Sequence, residues 1–178
     1  LADVLAQIQA ESALSDTQLW LLMGPGFVIV YSLAGVPLAW AADRSGRRTI
    51  IAIGLACWSL VTLATGMARI FAQLLAARMA LGVGEASNMA PTSALIADLF
   101  PGRRRVLAMA VFSAGGPLAI MLCYPLIGWI VDHHGWRPAF GLMGLIGLGV
   151  VALTVLVVRE PPREPAEARL ADDPPQSF

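Results

Sequence analysis

Two groups of polar residues stand where an apolar chain should not carry them. Arg78, Glu85 and Thr92 lie seven apart in one long apolar run, with Asn88 between the last two. At 3.6 residues per turn, a spacing of seven returns to nearly the same helix face, so the four make one polar stripe. Seven residues of rise is about 10 Å, too far for direct contact between Arg78 and Glu85, so each looks to a partner on another helix. A charge at the centre of a membrane helix costs about 2.5–3.5 kcal/mol, which keeps both away from lipid. Two uses remain. The charges neutralise each other or neighbouring helices as a packing device, or the stripe lines an aqueous cavity where a solute or a proton binds, with Glu85 exchanging protons.

The second group is Asp43, Arg44, Gly46, Arg47 and Arg48 in a short charged turn, together with Asp98 at the end of the run that holds Glu85. Both aspartates fall at C-terminal ends of helices, where the macrodipole disfavours a negative charge. Each therefore needs a cation or a helix N-terminus to answer it, and adjacent arginines are the local choice. Other reactive types carry less. Cys57 and Cys123 lie far apart inside apolar runs and read as small packing residues. His133 and His134 are neighbours that point in different directions, with no acidic or cysteine cluster to complete a metal site. No cofactor signature is present. An intramembrane hydrolase would need a nucleophile with a base, or a metal, at membrane depth; no histidine lies in any span, so the chain does not read as an enzyme.

These residues are positioned by apolar runs. Of 178 residues, 57% are hydrophobic and 13% charged, against roughly 45–50% and 25% in soluble domains. A membrane span needs about 20 apolar residues, and five runs qualify, at 19–42, 49–67, 71–100, 106–131 and 138–158. The fold class is an all-α membrane protein. Ser15 or Asp16 caps the first run, with Gln18 placed for a capping box, and Pro25 kinks it. Gly35 and Ala39 offer a small face for helix packing. Residues 68–70 are a tight turn. In the third run Pro91 frees the carbonyl of Ser87, while Gly82 and Gly84 allow close backbone approach. Kinked helices around a midplane charge point to a transporter site; close packing alone is the other reading of the glycines. Gly115-Gly116-Pro117 and Pro125 interrupt the fourth run, and 132–135 turn the chain. Residues 159–178, with five prolines and alternating charges, read as a disordered tail or linker.

All twelve basic residues are arginine, and net charge is zero, which gives no argument for nucleic acid. If the spans alternate, one face holds three arginines in 43–48, three in 101–105 and three in the tail, while the other has only Arg69 and Arg137. Nine against two makes the arginine-rich face cytoplasmic. The chain starts at Leu1, and residues 1–11 lack signal-peptide features and read as the last turns of a truncated element.

Four motifs together resemble the N-terminal half of a major facilitator superfamily transporter. Ala39 to Arg48 resembles the loop motif G-x-L-A-D-R-x-G-R-R, with Ala39 where glycine is usual. Arg78 to Ala86 resembles the fourth-helix arginine and glycine motif, Phe100-Pro101 with Arg104 and Arg105 the next cytoplasmic loop, and Gly135-Trp136-Arg137 with Phe140 the start of helix six. Tyr124-Pro125-Leu126-Ile127-Gly128-Trp129 departs from the antiporter pattern G-P-x-x-G-G. Leu14 to Gln18, Gly35 to Leu38, Gly82 to Ala86 and Ile96 to Pro101 are most similar to the Spinster-like branch, while organic anion symporters share the G-x-G-E-A segment.

The resemblance implies that the five spans are helices two to six, with helix one and the C-terminal half missing. It implies a multi-pass protein of a bacterial inner membrane that moves a small organic or lipid-like solute by alternating access, with protons as the coupling partner. A receptor or scaffold on the same fold is the alternative outside transport. Glu85 is then implied in proton coupling or gating, and Arg78 in pairing or anion contact, with Asn88 and Thr92 beside them. Asp43 is implied in a cytoplasmic gate with Gly46 and Arg47, with Arg44 or Arg48 reaching Asp98.

Overall fold

The computed structural model describes residues 7–9, 11 and 14–158, the side chains of Asp43 and Ser45 excepted. The tail from 159 onward lies outside the described residues, as does the side chain on which a role for Asp43 would rest.

Helix α1 (Asp16–Met23) opens with the expected capping box: Ser15 Oγ accepts from the Gln18 amide at 3.3 Å, and Gln18 Oε1 accepts from the Ser15 amide at 3.0 Å. Pro25 does more than kink the span. The helix ends at Gly24, and Pro25 takes the first position of α2 (Pro25–Ser45), where its missing N–H costs no hydrogen bond. The charged turn expected at 43–48 is also not a loop. Helix α2 runs through Ser45 and α3 (Arg47–Gly66) starts two residues later. Arginine is a good helix former, so the charges extend both helices. Gly46, at φ 99°, reverses the chain alone, in a conformation that a β-carbon would oppose.

After the expected turn, the run at 71–100 arrives as two helices, α4 (Phe71–Ala86) and α5 (Met89–Leu99). Pro91 cannot donate to Ser87, the Ser87 hydroxyl donates to the Gly84 carbonyl at 2.6 Å, and the Asn88 amide turns back to Glu85 at 3.1 Å. The backbone ladder therefore lapses there. Helix α6 (Arg103–His134) corrects the opposite expectation. It passes through Pro117 and Pro125 without a break, and it takes in the arginine triplet and both histidines. Each proline removes one ladder bond, and in an apolar medium the remaining backbone groups have no better partner than the helix. Helix α7 (Trp136–Val157) follows Gly135. Four segments, Asp16–Ala42, Arg47–Gly66, Arg103–His134 and Trp136–Val157, are long and apolar enough to cross a membrane. Residues 71–100 fall outside that set because the break leaves pieces of 16 and 11 residues.

Helix α3 is the hub, packed by α2, α4, α5 and α7. In lipid, helix association depends on van der Waals fit, so small residues let backbones meet. A β-carbon on Gly54 would lie 3.1 Å from the Gly84 carbonyl oxygen, and one on Gly84 3.1 Å from that of Gly54. One on Gly82 would lie 3.1 Å from the Phe27 carbonyl oxygen. Helix α4 is thus wedged between α2 and α3 by the two glycines of its motif. On the other side of α3, Gly144 and Gly147 of α7 sit against Ser59. On the Gly35 and Ala39 face expected to pack, nothing described lies within 4 Å of a β-carbon at Gly35.

Candidate transport site

The polar stripe expected on one helix is divided by the break. Arg78 turns toward the end of α1, where the last carbonyls lack helical partners. Its Nε donates to the Leu22 carbonyl at 3.2 Å, and its guanidinium carbon stands 4.6 Å from the centre of the Phe27 ring. A cation at a helix C-terminus is favoured by the macrodipole, so Arg78 braces the discontinuity in the first span. Its two Nη groups carry four further N–H donors.

Glu85 is one turn before the second discontinuity. Gly84 and Ala86 on either side are buried, and Glu85 itself is exposed. Its carboxylate makes no hydrogen bond or ion pair among the described residues. Beyond the break, Thr92 Oγ1 donates to Asn88 Oδ1 at 2.8 Å. Asn88 and Thr92 therefore meet, Arg78 finds its partners on α1 and α2, and Glu85 has none of the expected partners among the described residues.

At the arginine-rich end Asp98 is answered by Arg47, where Arg44 or Arg48 was expected to reach it. Arg47 Nη1 also reaches the Ala94 carbonyl at 3.4 Å. Consecutive residues on a helix point about 100° apart, so Arg48 turns away from α5 and donates to the Val155 carbonyl in the last turn of α7. Arg44, across Gly46 on α2, lies over the Trp40 ring, with its guanidinium carbon 3.5 Å from the centroid. Two arginines at the start of α3 oppose that helix's own dipole. They are compensated by the negative ends of α5 and α7, which gathers the α2–α3 junction, the end of α5 and the end of α7 at one end of the bundle.

The opposite end has a polar cluster that the sequence did not disclose. Glu11 accepts from Trp136 Nε1 at 2.7 Å and pairs with Arg137, which also donates to the Ala68 carbonyl at 3.3 Å. The Arg137 hydrogen bond, then that of Trp136, hold the Glu11 carboxyl below the usual carboxylate range. These groups border a cavity of about 700 Å³ with Gln7 and His134. Trp136 and Arg137 stood in a quoted motif, but nothing in the spacing tied them to Glu11, 125 residues away.

The sequence profile of the Major Facilitator Superfamily matches residues 4–178. The chain belongs to this superfamily. Among superfamily relatives, a probable galactarate/D-glucarate transporter of Bacillus subtilis is 33% identical over 149 residues, covering 79% of this chain and 33% of its own length. An MFS-type efflux pump of Mycolicibacterium smegmatis is 32% identical over 173 residues, covering 97% and 40%. A solved superfamily structure, a bacterial homologue of the human lysosomal transporter Spinster in an inward-facing and occupied conformation, matches with a TM-score of 0.72. It is 29% identical and covers 94% of this chain and 43% of that one. The chain thus spans well under half the length of these relatives, and it corresponds to an N-terminal portion of the superfamily fold.

Proposed function

We propose that this chain forms one half of a secondary active transporter that carries a small organic or lipid-like solute by alternating access, coupled to protons. The observation that carries the reading is Glu85, an exposed carboxylate without a partner among the described residues, held beside a helix break by glycines packed against two neighbouring helices. Rigid packing on one side and an open carboxylate on the other suit a group that changes protonation while the bundle rocks as a body. Arg78 offers its Nη donors to an anionic group, and Asn88 and Thr92 supply hydrogen bonds across the break.

At the arginine-rich end, which we read as cytoplasmic in a bacterial inner membrane, Arg47 and Asp98 hold the base of the gate with Arg44, Gly46 and Arg48. Asp43 meets a helix N-terminus of the other half when that side is closed. A second reading, an organic anion symporter, is favoured by the sugar-acid relatives and by an arginine at this depth. Flux of the full-length protein in liposomes tests both. A pH gradient should drive uptake of a hexuronate or of a lysophospholipid, and the responding solute separates the readings. No pH-dependent flux of either would refute the proposal.

A further inference from the structure

Between the end of α5 and the first turns of α6 runs a groove of about 600 Å³, lined by Ile96, Phe100, Leu107, Val111 and Phe112, with Arg104 at its rim. Leu107 and Val111 are 68% and 67% exposed, so no described residue packs over this apolar wall. Arg103, Arg104 and Arg105 form the first turn of α6 and are exposed, and their side chains make no ion pair among the described residues. Arg44, Arg47 and Arg48, at the same end of the bundle, are all engaged by a ring, a carboxylate or a carbonyl. The triplet also stands at the positive end of its own helix, and Gly102 provides no side-chain cap, so among the described residues no ion pair or cap offsets these three positive charges.

An apolar slot that no described residue fills, with Arg104 at its rim and no described carboxylate paired to the triplet, matches one ligand chemistry. The charges call for an anion and the slot for a hydrocarbon chain attached to it. A free anion would leave the slot exposed, and a neutral amphiphile would leave the arginines unanswered. We propose that the groove between α5 and α6 holds an acyl chain of an anionic phospholipid, whose phosphate sits on Arg104 with Arg103 and Arg105 adding positive charge beside it, as a resident lipid distinct from the transported solute. Basic pockets between membrane helices are suited to such headgroups. The site lies beside the gate, since Phe100 is two residues from Asp98.

The test is lipid retention by the full-length protein, measured by native mass spectrometry as phosphatidylglycerol or phosphatidylcholine is titrated in. Phosphatidylglycerol should be retained preferentially. Each arginine near an anionic surface contributes about fivefold, so Arg104→Gln should weaken retention about fivefold and the triple glutamine variant on the order of a hundredfold. Val111→Trp, which fills the slot, and Phe100→Ser, which removes one wall, should each weaken retention with all arginines present. Equal retention of the two lipids would overturn the proposal. So would unchanged retention in both slot variants, which would leave only surface electrostatics or a slot covered by the rest of the protein. Displacement of the lipid by millimolar inorganic phosphate would instead identify a free-anion site, and would also overturn it.

Discussion

Gly144→Ala is expected to loosen the whole bundle, because of where one methyl group would have to go. On Gly144 of α7 a β-carbon would lie 2.8 Å from the Ser59 carbonyl oxygen and 2.9 Å from the Leu63 amide nitrogen, both backbone atoms of α3. Neither helix can yield locally, so the pair must separate by about 0.5–1 Å to restore contact distances. A gap of that size forfeits about a quarter to a half of each affected contact's attraction. The loss would reach Gly147 against Ser59 and Gly66 against Phe140 on the same seam. With no hydrophobic term between helices in lipid, this packing is the main association energy. Overpacking of this kind costs about 1–3 kcal/mol, and rigid backbone on both sides places the change toward the upper end.

Gly149→Ala on the same helix is the control. Nothing described lies within 4 Å of its β-carbon, and alanine gains up to about 1 kcal/mol in helix propensity. In thermal unfolding of the full-length protein followed by fluorescence-detected size exclusion, Gly144→Ala should melt lower than wild type and Gly149→Ala no lower. Equal shifts, or a larger loss at Gly149, would refute the close α3–α7 seam.

A double-mutant cycle on Arg47 and Asp98 should give a coupling of about 0.5–1 kcal/mol, with their side chains 19% and 27% exposed. The same cycle on Arg44 and Asp98 should give a smaller coupling, and reversed couplings would return the ion pair to Arg44. Glu11→Gln tests the opposite end by pH. A carboxyl held below its usual 4.5 stabilises the fold above that value, and the contribution fades as pH falls through the lowered one. Wild type should therefore melt above Glu11→Gln at pH 7, and the gap should narrow as pH falls below 4.5 and through the lowered value. A gap that stays constant down to pH 3 would show that the Glu11 charge is not what secures this end.

Four of the five apolar runs coincide with helices long enough to cross a membrane, because lipid leaves few options for a backbone, and Arg47 with Asp98 and Arg48 with the Val155 carbonyl bring the α2–α3 junction beside the ends of α5 and α7. What escaped the sequence was how charge and proline act locally. Arg44, Arg47 and Arg48 look like loop residues, yet arginine continues a helix readily, and a single glycine at positive φ sufficed for the turn. Proline gave opposite outcomes in two places. Helix α6 runs through Pro117 and Pro125 with only backbone bonds lost. At Pro91 the freed carbonyl belongs to Ser87, whose own hydroxyl competes for Gly84, and the helix parts. The stripe through Arg78, Glu85 and Thr92 assumed an unbroken period, and that break ended it. Which arginine reaches Asp98 depended on the rotation of α3, which charge spacing does not encode. The link from Glu11 to Arg137 depended on how the ends of the bundle fold together.

Proton-driven uptake by the full-length protein carrying Glu85→Gln bears on the whole functional reading. Glutamine keeps the size and hydrogen-bonding capacity of the side chain and removes its titration, so insertion and folding should be unchanged. Uptake driven by a pH gradient should be abolished while exchange of solute at equal pH persists, with Glu85→Asp retaining part of the driven uptake. Full driven uptake by Glu85→Gln, in protein that inserts and melts like wild type, would contradict a coupling role for Glu85.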